Sequence, residues 1–351
     1  MLIKTRHISN FIEKWAPNAT KLDYDNTGLL IGNSEKPLKR VHISLDVTPE
    51  VIEEAIQQKA DLILAHHPLI FKKINRINED QATGSMIRNL IRHDIDVIAA
   101  HTNLDAAHAG VSFELAERLE LIKTDFLESS YKTRRLVVLR FPKRLRGEIE
   151  AVLNTTNLDT GWSEEEANVA VARFIYDEHR LPELKSKVDV AMAGSPYSID
   201  VMISEIPSSD YGFGVIGELE NEMNGTDFIT HVSEVLESNI LRFSGDAEST
   251  IVKKVAVCGG AGAQLISKAF ASRADAYITG DIKYHEYFIP KNKLLVDAGH
   301  YETEAPIIDK MANELRKAFP GLQVALTNVN TNPVKSLKDF KRTTSHKPTV
   351  S

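Results

Sequence analysis

The chain has 351 residues, of which 42% are hydrophobic and 26% charged, and its formal net charge is −7. These values are ordinary for a globular protein and leave room for two or three compact units. The acidic balance argues against a general nucleic-acid partner or an anionic membrane surface, because both favour a basic face. A single cysteine, Cys258, excludes an intramolecular disulfide and a cysteine-rich zinc site.

The first residues lack the apolar core of a signal peptide. No window of the sequence approaches the roughly 20 apolar residues that a transmembrane helix needs. We therefore expect a cytoplasmic protein with no membrane partner.

The segment from about residue 40 to 105 alternates strand and helix patterns. Apolar runs at 41–46, 61–65 and 96–100 predict buried strands, and the sequence at 85–93 predicts a helix. Thr48 and Pro49 predict the N-cap and first position of another helix, which continues to about Lys59. Continuous apolar strands separated by helices indicate a largely parallel sheet that is covered on both faces.

A different pattern occupies residues 130–210. Strands predicted at 135–141, 168–176 and 199–206, with helices at 145–153 and 181–193, follow the order of a ferredoxin-like α+β module with one strand missing or weak. This inserted domain separates an N-terminal α/β lobe, 1–129, from a C-terminal α/β lobe, 211–334. The polar, basic stretch 335–351 is predicted to be disordered.

The strand and helix order returns after residue 250. Strands are predicted at 255–258, 275–279 and 293–297, with a tight glycine turn at 259–262 before a helix at 264–272. The two lobes can be overlaid as a pseudo-repeat, in which His101 and Asp105 match His300 and Glu304. Equivalent strand ends would then meet in a common cleft, the usual place for a site in an open α/β sheet.

Histidines and carboxylates follow three of these strands at the point where each strand ends. Imidazole and carboxylate are the ligands that Zn, Mn or Fe prefer in proteins. Such side chains, mounted on rigid strand ends of matched halves, predict a metal site. The predicted ligands are His66, His67, Asp105, His300 and Glu304.

The number of ions stays open at this level. Adjacent side chains on an extended strand point to opposite faces, so two neighbouring ions suit His66 and His67 better than one, although a turn at Pro68 would let one ion take both. His101 either binds metal too or supports a ligand and handles a proton, and we favour the supporting role. His285 is an acid or base in the cleft, or an exposed helical residue.

The turn-rich segment 24–32 is a candidate to line the same cleft, or a loop packed under the sheet.

These segments, in this order, resemble the GTP cyclohydrolase 1 type 2 homologs, also called the NIF-three-like family. The matching stretches are DNTGL at 25–29, SLDVT at 44–48, AHHPL at 65–69, HTNLD at 101–105, AVCGG at 256–260, TGDIKYH at 279–285 and GHYETE at 299–304. The resemblance implies a dinuclear metal centre held by the five predicted ligands, with Glu304 as the bridge.

The resemblance also implies two similar α/β lobes forming one metal-binding core, and a toroidal homohexamer built as a trimer of dimers. Longer members of the family carry an inserted PII-like domain, as residues 130–210 do here. Those members often have a His-Pro-Tyr-Glu stretch where this chain has Ser195-Pro196-Tyr197-Ser198, so no ligand role is carried over to the insert.

Two functional hypotheses follow. The first is a metal-dependent hydrolase that uses two divalent ions, Zn, Mn or Fe, on a nucleotide or related heterocycle, as a GTP cyclohydrolase would. The second is a non-catalytic role in metal storage or delivery, or a regulatory oligomer whose insert senses a small molecule.

Overall fold

The computed structural model describes residues 2–130, 132–156, 158–165 and 168–336. The predicted disordered tail lies, from residue 337 onwards, outside the described residues. The chain divides into two compact units, one formed by Met1–Glu128 with Asp210–Ser351 and the other by Ser129–Ser209. None of the helices within the described ranges is long and apolar enough to cross a membrane.

The first part of the larger unit alternates helices and strands, and the elements predicted between residues 40 and 100 are confirmed. Thr48 caps the second helix as predicted, because its hydroxyl accepts a hydrogen bond from the Val51 amide at 3.3 Å, and Pro49 begins the helix. The elements are α1 (Thr5–Trp15), β1 (Gly28–Ile31), β2 (Arg40–Ser44), α2 (Pro49–Gln57), β3 (Leu62–Ala65), α3 (Ala82–Arg92), β4 (Asp96–Ala99), α4 (Thr102–Asp105), α5 (Val111–Arg118) and β5 (Ile122–Ser129).

The smaller unit consists of β6 (Arg134–Pro142), α6 (Arg146–Asn154), β7 (Gly161–Glu165), β8 (Val169–Asp177), α7 (Leu181–Met192) and β9 (Ser198–Ile203). Its strands pair antiparallel in the order β7-β8-β6-β9, and both helices share one core with the sheet. The sequence did not predict β7, because its short Gly-Trp-Ser-Glu-Glu run offers little apolar alternation.

The rest of the larger unit consists of β10 (Gly212–Asn224), α8 (Gly225–Val235), β11 (Arg242–Ser244), β12 (Ile251–Ala261), α9 (Ile266–Ala271), β13 (Ala276–Gly280), β14 (Leu294–Asp297), α10 (His300–Glu304), α11 (Pro306–Ala318) and β15 (Gln323–Leu326). The strands predicted at 275–279 and 293–297 are confirmed. Short 3₁₀ helices lie at Asn18–Thr20, Lys143–Leu145, Glu178–Arg180, Ala263–Leu265 and Tyr284–Tyr287.

Two sheets with the same central order form the larger unit. The first runs β1-β4-β3-β2-β15 and the second β11-β14-β13-β12-β10-β5. In each sheet three neighbouring strands are parallel, as predicted, and an antiparallel strand, β1 or β11, closes the edge beside them. In the first sheet α1 and α11 cover one face, and α2 and α3 cover the other.

The sheets exchange elements across the position of the insert. β15, near the end of the described chain, pairs in parallel with β2, and β5, which precedes the insert, joins the second sheet beside β10. Met311 and Leu315 of α11 pack in the core of the first sheet, whereas Leu115 of α5 packs in the core of the second. The predicted lobe boundaries at 129 and 211 therefore do not separate the two sheets.

The predicted tight turn at 259–262 is wrong in part, because β12 continues through Gly259 and Gly260 to Ala261. Gly260 has a φ of +63°, and a Cβ there would lie 2.1 Å from Oε1 of Glu304. Its amide donates a hydrogen bond to the Thr303 hydroxyl at 3.0 Å. Glycine thus allows the end of β12 to lie directly against α10.

We predict that Gly260→Ala destabilises the fold. The left-handed backbone alone costs a non-glycine residue about 1–2 kcal/mol, and the added methyl group must also displace the Glu304 carboxylate. Thermal unfolding of the metal-free chain measures the loss. Gly321→Ala is the matched control, since a Cβ there meets nothing within 4 Å. Equal melting temperatures for the two variants would contradict this account of β12.

Candidate metal centre

The histidines and carboxylates singled out in the sequence follow three strand ends of the larger unit. His66 and His67 come directly after β3, and His101 immediately precedes α4, which ends at Asp105. α10 begins at His300 and ends at Glu304, shortly after β14. The carboxyl ends of parallel strands lie at one edge of a sheet, which brings such side chains together.

The side chains meet in three overlapping groups whose nitrogen and oxygen atoms lie within 4.8 Å of one another. Each group contains three side chains with potential ligand atoms and could hold a metal ion. The groups are His66 with His67 and His101, His67 with His300 and Glu304, and His66 with Asp105 and Glu304.

Each of the four imidazoles is fixed through its Nδ1 atom, which leaves Nε2 for the cluster. His66 Nδ1 donates a hydrogen bond to a backbone carbonyl, and the other three rings bond to carboxylates. This is the usual way in which proteins orient metal-binding imidazoles and set their tautomer. The partners are Ala100 O for His66 at 2.7 Å, Asp46 for His67 at 2.7 Å, Asp25 for His101 at 2.8 Å and Asp281 for His300 at 2.8 Å.

His66 carries the clearest sign that a cation fits here. Its side chain is completely buried, and its Nε2 has no hydrogen-bond partner among the described residues. The nearest carboxylate atoms are Oδ1 of Asp105 at 3.6 Å and Oε1 of Glu304 at 3.7 Å. Oδ1 of Asp105 is also buried and has no hydrogen-bond partner among the described residues. Unsatisfied buried polar atoms cost about 1–3 kcal/mol each, and a shared cation would satisfy both.

Glu304 is a buried carboxylate surrounded by imidazoles. Its Oε2 lies 3.0 Å from Nε2 of His67 and 3.1 Å from Nε2 of His300. Burial alone would raise the pKa of Glu304, but the proximity of the His300, His66 and His67 imidazoles outweighs it and holds the pKa well below its usual range. Glu304 therefore stays ionised and gives the centre a fixed negative charge.

The surroundings raise the pKa values of His67, His300 and Asp105, and a bound cation would oppose this effect. Burial would lower the pKa of His67 and His300, but nearby carboxylates raise these values to about 10 and about 9. Burial and the charge of Glu304 raise the pKa of Asp105 well above its usual range. In the metal-free chain, protons thus occupy positions that a divalent ion would take.

His101 lies among the candidate ligands, although the sequence interpretation favoured a supporting role for it. Asp25 holds its Nδ1, and its ring centroid is 5.3 Å from those of both His66 and His67. His285 is exposed on the Tyr284–Tyr287 3₁₀ helix, where its ring contacts Tyr284, and it belongs to none of the three groups. Among the described residues no contact joins His285 to the cluster, so nothing there supports the predicted role of His285 as an acid or base.

The sequence interpretation missed the orienting roles of Asp25 and Asp46. Asp46 follows β2, and His66 and His67 follow the parallel neighbour β3, so the shared sheet edge was an available signal. Asp25 lies in the turn-rich segment 24–32 and in the DNTGL motif, and its hydrogen bonds to His101 and to the Thr102 amide, the latter at 3.0 Å, form only in the folded chain. Thr331 donates a further hydrogen bond to Asp46 from the segment after β15.

The chain has extensive similarity to known proteins. A family model described as Duf34/NIF3 (NGG1p interacting factor 3) matches residues 3–333. A Bacillus subtilis (strain 168) protein named GTP cyclohydrolase 1 type 2 homolog is 34% identical, with 94% of this chain and 98% of the relative covered. A Listeria innocua protein of the same name is 30% identical, with 92% and 96% covered.

Solved structures agree with the sequence relatives. The crystal structure of a Bacillus cereus protein related to NIF3 superposes with a TM-score of 0.80 at 29% identity, covering 96% of this chain and all of that one. The match of the family model to nearly the whole chain, together with these relatives, shows that this protein belongs to the DUF34/NIF3 family.

Proposed function

We propose that this chain is a metal-dependent hydrolase acting on a nucleotide or related heterocycle, with two divalent ions, Zn, Mn or Fe, at its centre. The observation that carries the proposal is the convergence of fixed imidazoles and carboxylates on buried atoms that lack partners. The name of the curated relatives, GTP cyclohydrolase 1 type 2 homolog, supports the reaction class. The proposed ligands are His66, His67, Asp105, His300 and Glu304, joined by His101.

The position of Glu304 supports two ions rather than one. Its Oε1 faces His66, at 3.7 Å from Nε2, while Oε2 faces His67 and His300. A carboxylate whose two oxygens face different ligand sets can bridge a pair of ions, as in other dinuclear sites. Glu304 also belongs to two of the three groups of candidate ligands.

Divalent ions bound here would lower the pKa of a coordinated water towards neutrality and so supply a nucleophile for hydrolysis. The chain's own residues would bind the ions and orient the ligand side chains. Asp46 and Asp25 keep the Nδ1 atoms of their histidines engaged, so that Nε2 binds. His66 and Glu304 are buried, whereas His67 and His300 are partly exposed, so a substrate would approach from the side of the latter.

We extend the proposal to the architecture. The matching central strand orders of the two sheets support two similar lobes forming one metal-binding core, and the β-α-β-β-α-β order of the smaller unit supports a ferredoxin-like, PII-like insert. A cytoplasmic homohexamer, built as a trimer of dimers, rests on the family resemblance.

The proposal predicts bound metal and metal-dependent turnover. Protein purified without added metal should contain about two ions per chain and hydrolyse GTP or another nucleotide. Asp105→Asn removes a ligand oxygen while keeping its shape, so we expect it to lose metal and most of the turnover. Elemental analysis and product chromatography measure both.

His285→Ala is the control for that experiment, because it removes an exposed histidine outside the cluster. Stoichiometric metal with no turnover of any nucleotide tested would refute the hydrolase and favour the non-catalytic role in metal storage or delivery, or as a regulatory oligomer. A wild-type chain that binds no metal would refute both the hydrolase and the metal storage or delivery role.

Asp46→Asn should weaken metal binding without removing a ligand. The amide cannot hold the His67 ring as the carboxylate does, and such partners are typically worth about 10–100-fold in metal affinity. Competition with a chelator of known affinity measures the change. Asp159→Asn, an exposed substitution in the smaller unit, controls for the loss of one charge. Unchanged affinity in Asp46→Asn would show that Asp46 does not orient His67.

The stability of the metal-free chain should depend on pH in a defined direction. The pKa values of His67 and His300, about 10 and about 9, lie above the ordinary 6.5. Their protonation thus stabilises the fold fully below about pH 6.5, and this stabilisation is lost as the pH rises through 9 to 10. The melting temperature in EDTA should fall over that window.

Bound metal should suppress most of this fall, since the ions take the place of the protons. His285→Ala should show the wild-type pH dependence. A melting temperature in EDTA that stays level or rises between pH 7 and 10 would be the contrary result.

A further inference from the structure

The segment between β3 and α3 is unusually long for a connection without regular structure. It covers residues 66–81, beyond the roughly 12–15 residues above which irregular loops are mostly functional or disordered. Its first two residues are the candidate ligands His66 and His67. Farther along, the Asn26 side-chain amide donates a hydrogen bond to the Ile70 carbonyl at 2.7 Å, which ties the segment to the turn containing Tyr24.

Two exposed aromatic rings lie beside the candidate metal centre on these two segments. Tyr24 is 66% exposed and Phe71 is 44% exposed, and their ring centroids are 6.1 Å apart at 72°. The Phe71 centroid is also 6.0 Å from that of the candidate ligand His101. The pair therefore borders the centre on its solvent side.

Within the described part of the chain, no hydrophobic core accounts for this exposed pair. Single exposed apolar side chains are common, but two adjacent aromatic rings leave a patch of apolar surface in water next to a polar cluster. Neither ring belongs to a hydrophobic core of the described chain. Ligand sites characteristically combine aromatic walls with a few polar groups in this way.

Cations follow the aromatic ring directly in the sequence. Lys72, Lys73 and Arg76 are exposed, and no ion pair involves them within the described ranges. The candidate metal centre contains carboxylates, and the whole chain is acidic, so an anionic ligand would be repelled without a local positive charge. Lys72 and Lys73 supply that charge one and two residues after Phe71.

We propose that Phe71 stacks the planar heterocycle of a nucleotide, that Tyr24, whose ring is inclined at 72° to that of Phe71, borders the edge of the base, and that Lys72 and Lys73 bind the phosphate groups. The inference rests on the proposed function, because it names the residues that would bind the nucleotide beside the same centre. Stacking on an aromatic ring tolerates any base, whereas lysines bind phosphate as point charges.

Calorimetry measures the binding of guanosine, GTP and inorganic tripolyphosphate to the full chain, with and without EDTA. The three probes test the base-binding and phosphate-binding residues separately. Phe71→Leu should weaken the binding of guanosine and GTP about tenfold and leave the affinity for tripolyphosphate unchanged. Phe71→Trp, which keeps a stacking surface, should restore binding. The Lys72→Ser/Lys73→Ser double variant should weaken the binding of GTP and tripolyphosphate but not that of guanosine.

Phe243→Leu and Lys14→Ser/Lys268→Ser are the matched controls. Phe243 is 49% exposed on β11, and Lys14 and Lys268 are exposed on α1 and α9, so these variants should bind all three probes as the wild type does. Equal losses in Phe71→Leu and Phe243→Leu, or no binding of guanosine and GTP by the wild type, would overturn the proposal. Self-association that Phe71→Leu abolishes would assign the rings to a second copy of the chain instead.

These measurements separate failure of the nucleotide-binding proposal from failure of the hydrolase proposal. Binding that depends on Phe71 but persists in EDTA, in a chain without turnover, would retain the nucleotide subsite and reject the hydrolase. Turnover of a nucleotide that is unaffected by Phe71→Leu and by the double lysine variant would retain the hydrolase and reject the subsite.

Discussion

The buried carboxylate of Glu304 is the interaction on which the rest of this structure depends. It contacts imidazoles that follow β3 in one sheet and the imidazole that begins its own helix beside the other sheet. A buried charge is tolerated only when it is paired, so the two sheets must keep these histidines in place. Gly260 makes this possible from the opposite side, because any larger residue would occupy the space of the carboxylate.

The exchange of elements between the sheets serves the same constraint. β15 completes the first sheet and β5 completes the second, so each sheet contains chain from both sides of the insert. α10 and α11 lead from the second sheet into the core of the first, and Glu304 lies on that connection. Ligands from both sheets are therefore held by shared cores rather than by a flexible junction, which suits a site that needs precise geometry.

The surroundings of the centre divide into a buried and an exposed side. On the buried side, backbone and carboxylate partners fix the imidazoles, and the segment after β15 adds the bond from Thr331 to Asp46. On the exposed side, the 66–81 segment presents Phe71 and lysines to solvent. The arrangement combines a rigid centre for chemistry with a loop for recognition, which is the common division of labour in α/β proteins.

The sequence by itself determined the parallel strands, the capped helix at Thr48 and the histidines and carboxylates at strand ends, because these follow from local patterns of apolar and polar residues. It could not determine how β12 ends: three closely spaced glycines suggest a turn, but β12 continues through the first two of them, and the approach of Glu304 requires glycine at position 260. Only the tertiary structure assigned Asp25 and Asp46 to their histidines and moved His101 into the cluster while leaving His285 outside. These relations join residues distant along the chain, and no local pattern records which side chain lies opposite another across a fold.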